Sequence, residues 1–249
     1  MCVSLRFDAM QSLGCKGNRA ASALKRDARN RDGDNCMPTR PKRSPRPASA
    51  GAEVDPQQQP ESLDACRRCA LWRDATQAVP GAGDAPATLM LVGEQPGDSE
   101  DRAGLPFVGP AGRLLDSALA EAGIVRETVY VTNAVKHFKW ELRGKRRLHR
   151  TPAQREVEAC AYWLEREIAN VQPKVIVALG ATALRAVLGD PHARLNAWMD
   201  QTAKAGARTV IATWHPSYVL RAPDPAARDE ARAHIVEALR RAHALLRRR

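Results

Sequence analysis

Residues 88–98 read Thr-Leu-Met-Leu-Val-Gly-Glu-Gln-Pro-Gly-Asp, an apolar run that breaks at once into a Gly/Pro loop carrying a carboxylate. A short continuous apolar run bounded by turn residues fits a strand buried on both faces better than an amphipathic helix. Three more runs share this form, Val129 to Val135, Lys174 to Gly180 and Thr209 to Trp214, and with Thr88 to Gly93 they make four strands. Each interval between them is long enough for a crossover helix. The pattern predicts an α/β fold, a three-layer α/β/α arrangement around a central four-stranded parallel sheet. The best marked helix starts near Thr151-Pro152-Ala153-Gln154, which offers an N-cap threonine, a first-turn proline and a capping-box glutamine. Val157, Cys160, Leu164 and Ile168 then share its inner face. Shorter helices follow Pro110 and Gly180, and a final helix from about Ala226 carries Ile235, Leu239 and Leu246 on one side.

Outward from this framework, residues 1–60 are rich in Arg, Pro, Ser and Gln and lack apolar periodicity. Such a segment cannot repay the entropy of ordering its backbone, so it is expected to be a disordered basic leader, with 61–249 as the folded domain. Met37 stands near this shift in composition as a candidate start. Across 249 residues the formal net charge is +11, which suits a polyanionic partner or simply well-solvated Arg-rich helices. No apolar run is long enough to cross a bilayer, and the first residues lack a secretory apolar core, so no membrane partner and a cytoplasmic setting are expected. A monomer is the expected state. Of six cysteines, Cys2, Cys15 and Cys36 lie in the leader, whereas Cys66, Cys69 and Cys160 lie in the folded part. In a reducing compartment these are ligands, catalytic groups or core residues rather than disulfides.

The chemistry collects where strands end. Gly93-Glu94-Gln95-Pro96-Gly97-Asp98 follows the first strand, and open parallel sheets bind ligands at the carboxyl ends of their strands. Gly104-Leu105-Pro106-Phe107-Val108-Gly109-Pro110 places a ring beside it; Phe107 either stacks on a base or packs under its loop. Asn133, at the end of the second strand, can read a pyrimidine edge through its donor and acceptor, or cap its own backbone. Trp214-His215-Pro216-Ser217-Tyr218 brings a histidine to the same rim. Cys66-Arg67-Arg68-Cys69 has the spacing that lets two thiolates reach one metal or cluster, and Cys160 adds a third from the helix.

In this order, the motifs Gly93 to Asp98, Asn133 to Lys136 and His215 to Ser217 resemble the family-4 branch of uracil-DNA glycosylases, over about Leu63 to the C-terminus. The resemblance implies catalytic roles for Glu94 and His215, substrate contacts from Gly93, Gln95, Pro96, Gly97, Phe107 and Asn133, and DNA contact from the His-Pro-Ser loop through Ser217. Arg221 and Tyr218 stand next to it as supports for an opened strand. Between the second strand and its helix lies Gly144-Lys145-Arg146-Arg147-Leu148-His149, a basic loop similar to the hallmark of the UdgX subfamily, which Gln95 also fits. In that subfamily the loop histidine bonds to the deoxyribose after uracil leaves, which implies that role for His149. Lys145, Arg146 and Arg147 would bind flanking phosphates.

Family-4 enzymes hold a 4Fe–4S cluster with four cysteines, the third just after the second strand. Here that position reads Lys136-His137-Phe138, so the resemblance implies Cys66, Cys69, Cys160 and His137 as ligands, a set that also suits zinc. Three functions remain open at this point. One is a glycosylase trapped on uracil-containing DNA, single strands included; another uses water and turns over; the third is a metal-bearing nucleic-acid-binding module without catalysis.

Overall fold

The computed structural model describes residues 53–199 and 201–247, all within one compact unit. The four apolar runs are strands: β1 (Leu89–Gly93), β2 (Val129–Asn133), β5 (Val175–Leu179) and β7 (Arg208–Thr213). They are parallel, in the order β2-β1-β5-β7. Alternation along β1 explains why the run is apolar throughout. Leu89 and Leu91 pack into one core with α2 (Pro110–Glu121) and α7 (Pro225–Arg247), while Met90 and Val92 pack into another with α3 (Gln154–Val171) and α4 (Ala181–Leu188). The sheet is therefore covered on both faces, the three-layer arrangement expected. Three short helices complete the set: α1 (Asp98–Ala103), α5 (Leu195–Trp198) and α6 (Pro216–Leu220). No helix among the described residues is long and apolar enough to cross a membrane.

Three local features differ from the sequence expectation. A fifth strand, β6 (Thr202–Ala205), pairs antiparallel with β7 at the sheet edge. Thr-Ala-Lys-Ala is too short and polar to announce itself, because an edge strand needs only one set of backbone partners. The basic loop is a hairpin, β3 (Trp140–Arg143) against β4 (Arg146–His149), turning at Gly144 with φ of 62°. Trp140-Glu141-Leu142-Arg143 alternates over only four residues and Arg146-Arg147-Leu148-His149 is mainly basic, too little apolar pattern to announce two strands. Finally, the N-cap of α3 is Ala153 rather than Thr151, and Glu156, not Gln154, reaches back to accept the Ala153 N–H at 2.7 Å.

The expected disordered leader and the candidate start at Met37 lie outside the described residues up to residue 52. Residues 55–58 are already engaged: the Asp55 N–H donates to the Arg67 carbonyl at 3.0 Å and the Arg67 N–H donates to Gln58 Oε1 at 2.6 Å. Contacts with the Cys66–Cys69 segment thus begin before residue 61, through hydrogen bonds that apolar patterning cannot reveal.

Candidate active site

Parallel register carries several functional groups to one edge. Gly93 pairs with Asn133 across β1 and β2, so Glu94 and Asn133 emerge side by side; β5 leads into Gly180 and β7 leads toward His215. Together they line a cleft of about 770 Å³ that also takes in Phe107, His149, Thr182, Trp214 and Arg221. Gly93 is required here, because a methyl group on it would stand 2.4 Å from Asn133 Oδ1 and 2.6 Å from Phe107 Cζ. Phe107 adopts a left-handed backbone (φ 56°), and its carbonyl lies so close to Gly112 on α2 that any side chain there would overlap it. Its ring is both a member of the α2-side core and a wall of the cleft, 6.0 Å from the His215 ring.

Asn133 is 3% exposed, and its Oδ1 has no hydrogen-bond partner. A buried acceptor left unpaired costs about 1–3 kcal/mol, so this atom awaits a donor from a ligand. The backbone of Asn133, not its carboxamide, is held from behind. Lys136, fully buried, donates from Nζ to the Asn133 carbonyl at 2.8 Å, to Thr132 Oγ1 at 2.6 Å and to Glu167 Oε2 at 2.7 Å. Sequence reading missed this paired charge because Glu167 lies on α3, thirty-one positions away.

His215 caps α6, and the backbone N–H of Ser217 donates to its Nδ1 at 3.1 Å, with Ser217 Oγ at 2.8 Å. A backbone amide can only donate, so Nδ1 carries the lone pair and the proton of the neutral ring sits on Nε2. Burial pushes the imidazole down to about 4, against a smaller opposing pull from Glu94. His215 is therefore a neutral donor. Ser217, expected at DNA, is spent on fixing that tautomer.

Glu94 is clamped from two sides. Its Oε1 lies 3.0 Å from His149 Nε2 and its Oε2 accepts from the Thr182 hydroxyl at 2.6 Å. Burial raises this carboxyl, but the hydrogen bonds from His149 and Thr182 outweigh it and hold Glu94 below the ordinary carboxylate range. Thr182 went unnoticed in the sequence, although its place just past the end of β5, at the start of α4, was a usable signal.

The hairpin that carries His149 is docked by two side chains expected to do other work. Gln95, placed among substrate contacts, is buried and donates from Nε2 to the carbonyls of Lys139 and Arg150, each at 3.1 Å, while Oε1 accepts the Lys139 N–H at 3.1 Å. Its side chain grips both legs of the hairpin, while the residue still lines the cleft. Arg147, placed at phosphates, is only 14% exposed; it donates to Asp98 Oδ1 and to Asp101 Oδ2, each at 2.6 Å, and lies over the Phe138 and Trp140 rings. Paired with two carboxylates of α1, it anchors the hairpin. Lys145 and Arg146 at the turn, and Arg221 at the cleft wall, are exposed cations. Pro96 is buried, and Gly97 lines the cleft with its N–H donated to Glu100 Oε2 at 3.0 Å.

The scan against family models matches residues 80–240 to the uracil DNA glycosylase superfamily. The chain belongs to the uracil DNA glycosylase superfamily. Among curated relatives it is 39% identical to the type-4 uracil-DNA glycosylase of Thermotoga maritima over 168 residues, 65% of this chain and 81% of that one. It is 38% identical to the type-4 uracil-DNA glycosylase of Pyrobaculum aerophilum over 177 residues, 68% and 87% of the two chains. A type-5 uracil-DNA glycosylase of the same organism is 32% identical over 167 residues, 61% and 70% of the two.

In this superfamily member the expected cluster ligands lie near one another. Cys66 and Cys160 are buried, Cys69 packs against the Cys160 patch, and Cys160 senses the charge of Cys69 and Cys66. His137 is buried and senses Arg67 and Asp64, which flank the Cys66 end. Burial pushes the Cys160 thiol up to about 12 and the His137 ring down to about 4. Yet among the described residues no group of three or more His, Cys, Asp or Glu side chains is arranged to hold a metal ion.

Proposed function

We propose that this chain removes uracil from DNA and then bonds to the exposed deoxyribose through His149. The observation that carries the reading is the joining, in one cleft, of an unpartnered Asn133 Oδ1 with a Glu94–His149 pair. Uracil offers an N3–H to Asn133 Oδ1 and a neighbouring carbonyl to its amide, the bidentate match that a carboxamide provides. As the C1′–N1 bond breaks, its electron pair leaves with uracil. The neutral Nε2–H of His215 is a donor fixed in advance for the oxygen on which that charge gathers. Phe107 supplies an apolar face for the ring.

The sugar is left cationic at C1′. With one ring nitrogen of His149 donating to Glu94, the other keeps its lone pair and forms the new C1′–N bond; the imidazolium so formed is stabilised by the Glu94 carboxylate, and its excess proton is released to solvent. The target nucleotide must leave its stack, so a single strand, which has no pairing to break, is the favoured substrate. Lys145, Arg146 and Arg221 are the exposed cations that would take its phosphates. Water as nucleophile is the competing reading, supported by the 46% exposure of the His149 side chain and by the type-4 names of the relatives.

Cys66, Cys69, Cys160 and His137 would hold a 4Fe–4S cluster, which when bound supplies a cross-link between the N-terminal segment, the loop after β2 and α3. The test of the function is incubation with a labelled uracil-containing oligonucleotide, followed by a denaturing gel. The expected result is a heat-resistant shifted band that His149→Ala abolishes; free uracil without a shifted band favours the water reading, and no uracil release at all overturns both.

A further inference from the structure

We propose that Thr182, at the second position of α4, is a positioning residue that fixes the Glu94 carboxylate so that it meets His149 with one oxygen only. The proposal rests on the assignment of Glu94 and His149 made above and adds to it the group that holds the pair in register.

The local chain explains how a threonine reaches this point. Gly180 turns β5 into α4 with φ of 92°, and the space above it is so narrow that a Cβ there would meet His215 Cβ at 3.1 Å. The Gly180 N–H donates to the Thr213 carbonyl at 2.8 Å, which pins the start of α4 to the end of β7. Thr182 therefore enters the cleft beside His215, opposite the hairpin. A threonine in a first helical turn ordinarily bonds within its own helix. This one crosses to the end of β1, and its 2.6 Å contact with Glu94 Oε2 lies in the range of hydroxyl bonds to charged oxygen rather than neutral ones.

The direction of that bond is fixed by chemistry. An ionised carboxylate has no proton to give, so Thr182 donates and Glu94 accepts. With Oε2 held, Oε1 is the oxygen left for His149 at 3.0 Å. The groups that face Glu94 are His149 from β4, Thr182 from α4 and His215 ahead of α6, with Glu100 and Arg221 elsewhere on the cleft wall. Of these, Thr182 is the hydrogen-bond donor that does not itself titrate, and it favours the charged form of Glu94.

The experiment compares wild type, Thr182→Val and Thr182→Ser with glutamate carboxyls labelled with carbon-13, the Glu94 signal being assigned by its loss in Glu94→Gln. Valine keeps the shape and removes the donor; serine keeps the donor. The Glu94 titration should move up by about one pH unit in Thr182→Val and return to the wild-type position in Thr182→Ser, the size expected for one hydrogen bond to a charged group. Adduct formation followed from neutral pH down through the Glu94 titration should show its acid limb moving in parallel. An unchanged Glu94 titration in Thr182→Val, or a serine variant that behaves like valine, overturns the proposal. Absence of an adduct from wild type at every pH instead removes the role given to His149, while the carboxyl titration still decides that of Thr182.

Discussion

Replacing Gln95 with leucine tests whether the hairpin must be held for His149 to react. The side chain makes three hydrogen bonds to the two hairpin legs and sits one residue from Glu94, while Arg150, one of its partners, sits one residue from His149. Leucine is close in size and keeps the packing, so the loss is confined to those bonds. Each contributes about 0.5–1.5 kcal/mol net, and the freed backbone groups are near enough to the surface to recover water, which puts the total near 2 kcal/mol. That is about a thirtyfold change in the ratio of docked to undocked hairpin. Arg147 remains bonded to Asp98 and Asp101, so the hairpin stays tethered and the fold is kept. Quenched time courses on a denaturing gel should show adduct formation slowed by about ten- to thirtyfold, and uracil release, which depends on Asn133 and His215, changed by less than about threefold. An adduct rate equal to wild type, or release and adduct falling together, would refute the claim that Gln95 acts through hairpin docking.

Three further outcomes are expected. Arg147→Met leaves the fully buried Asp101 carboxylate without its cation and should cost about 3–5 kcal/mol in urea unfolding, together with most of the adduct; a loss under 1 kcal/mol would place Arg147 back among DNA contacts. Uracil release by His149→Ala should stay level from pH 8 to about 5 and fall as His215 titrates near 4, because protonated Nδ1 would confront the Ser217 N–H; a midpoint near 6.5 would contradict the buried neutral donor. For the same reason the unfolded imidazole binds its proton more tightly than the folded one, so the stability contributed at His215 falls as pH drops from 6.5 toward 4. Cys160→Ser should lose the brown visible absorbance and iron content of an iron–sulfur protein purified without air; a colourless wild type containing zinc would replace the cluster with another metal.

Much of the fold was legible because its strands are buried on both faces and so carry unbroken apolar runs. Leu89 to Val92 feeds two cores at once, and that requirement writes itself into sequence. The hairpin was not legible for the opposite reason: Glu141, Arg143 and Arg146 face solvent, and what holds β3 to β4 is backbone pairing and Arg147. Strand ends pointed to Glu94, Asn133 and His215, since a parallel sheet collects such residues at one edge. Which charged residues would be free was hidden. Arg147 and Lys145 lie two positions apart in one basic run, yet one is paired with two carboxylates and the other is exposed. Likewise Gln95 reads as a substrate ligand from its place beside Glu94, whereas its partners, Lys139 and Arg150, belong to a segment that folds back from more than forty positions away.

The most direct test is mass spectrometry of peptides from wild-type protein incubated with a short uracil-containing strand and then digested with protease and nuclease. The account predicts that the peptide containing His149 carries the added mass of a deoxyribose fragment without its base, and that no other peptide does. Uracil released in full with an unmodified His149 peptide would contradict it.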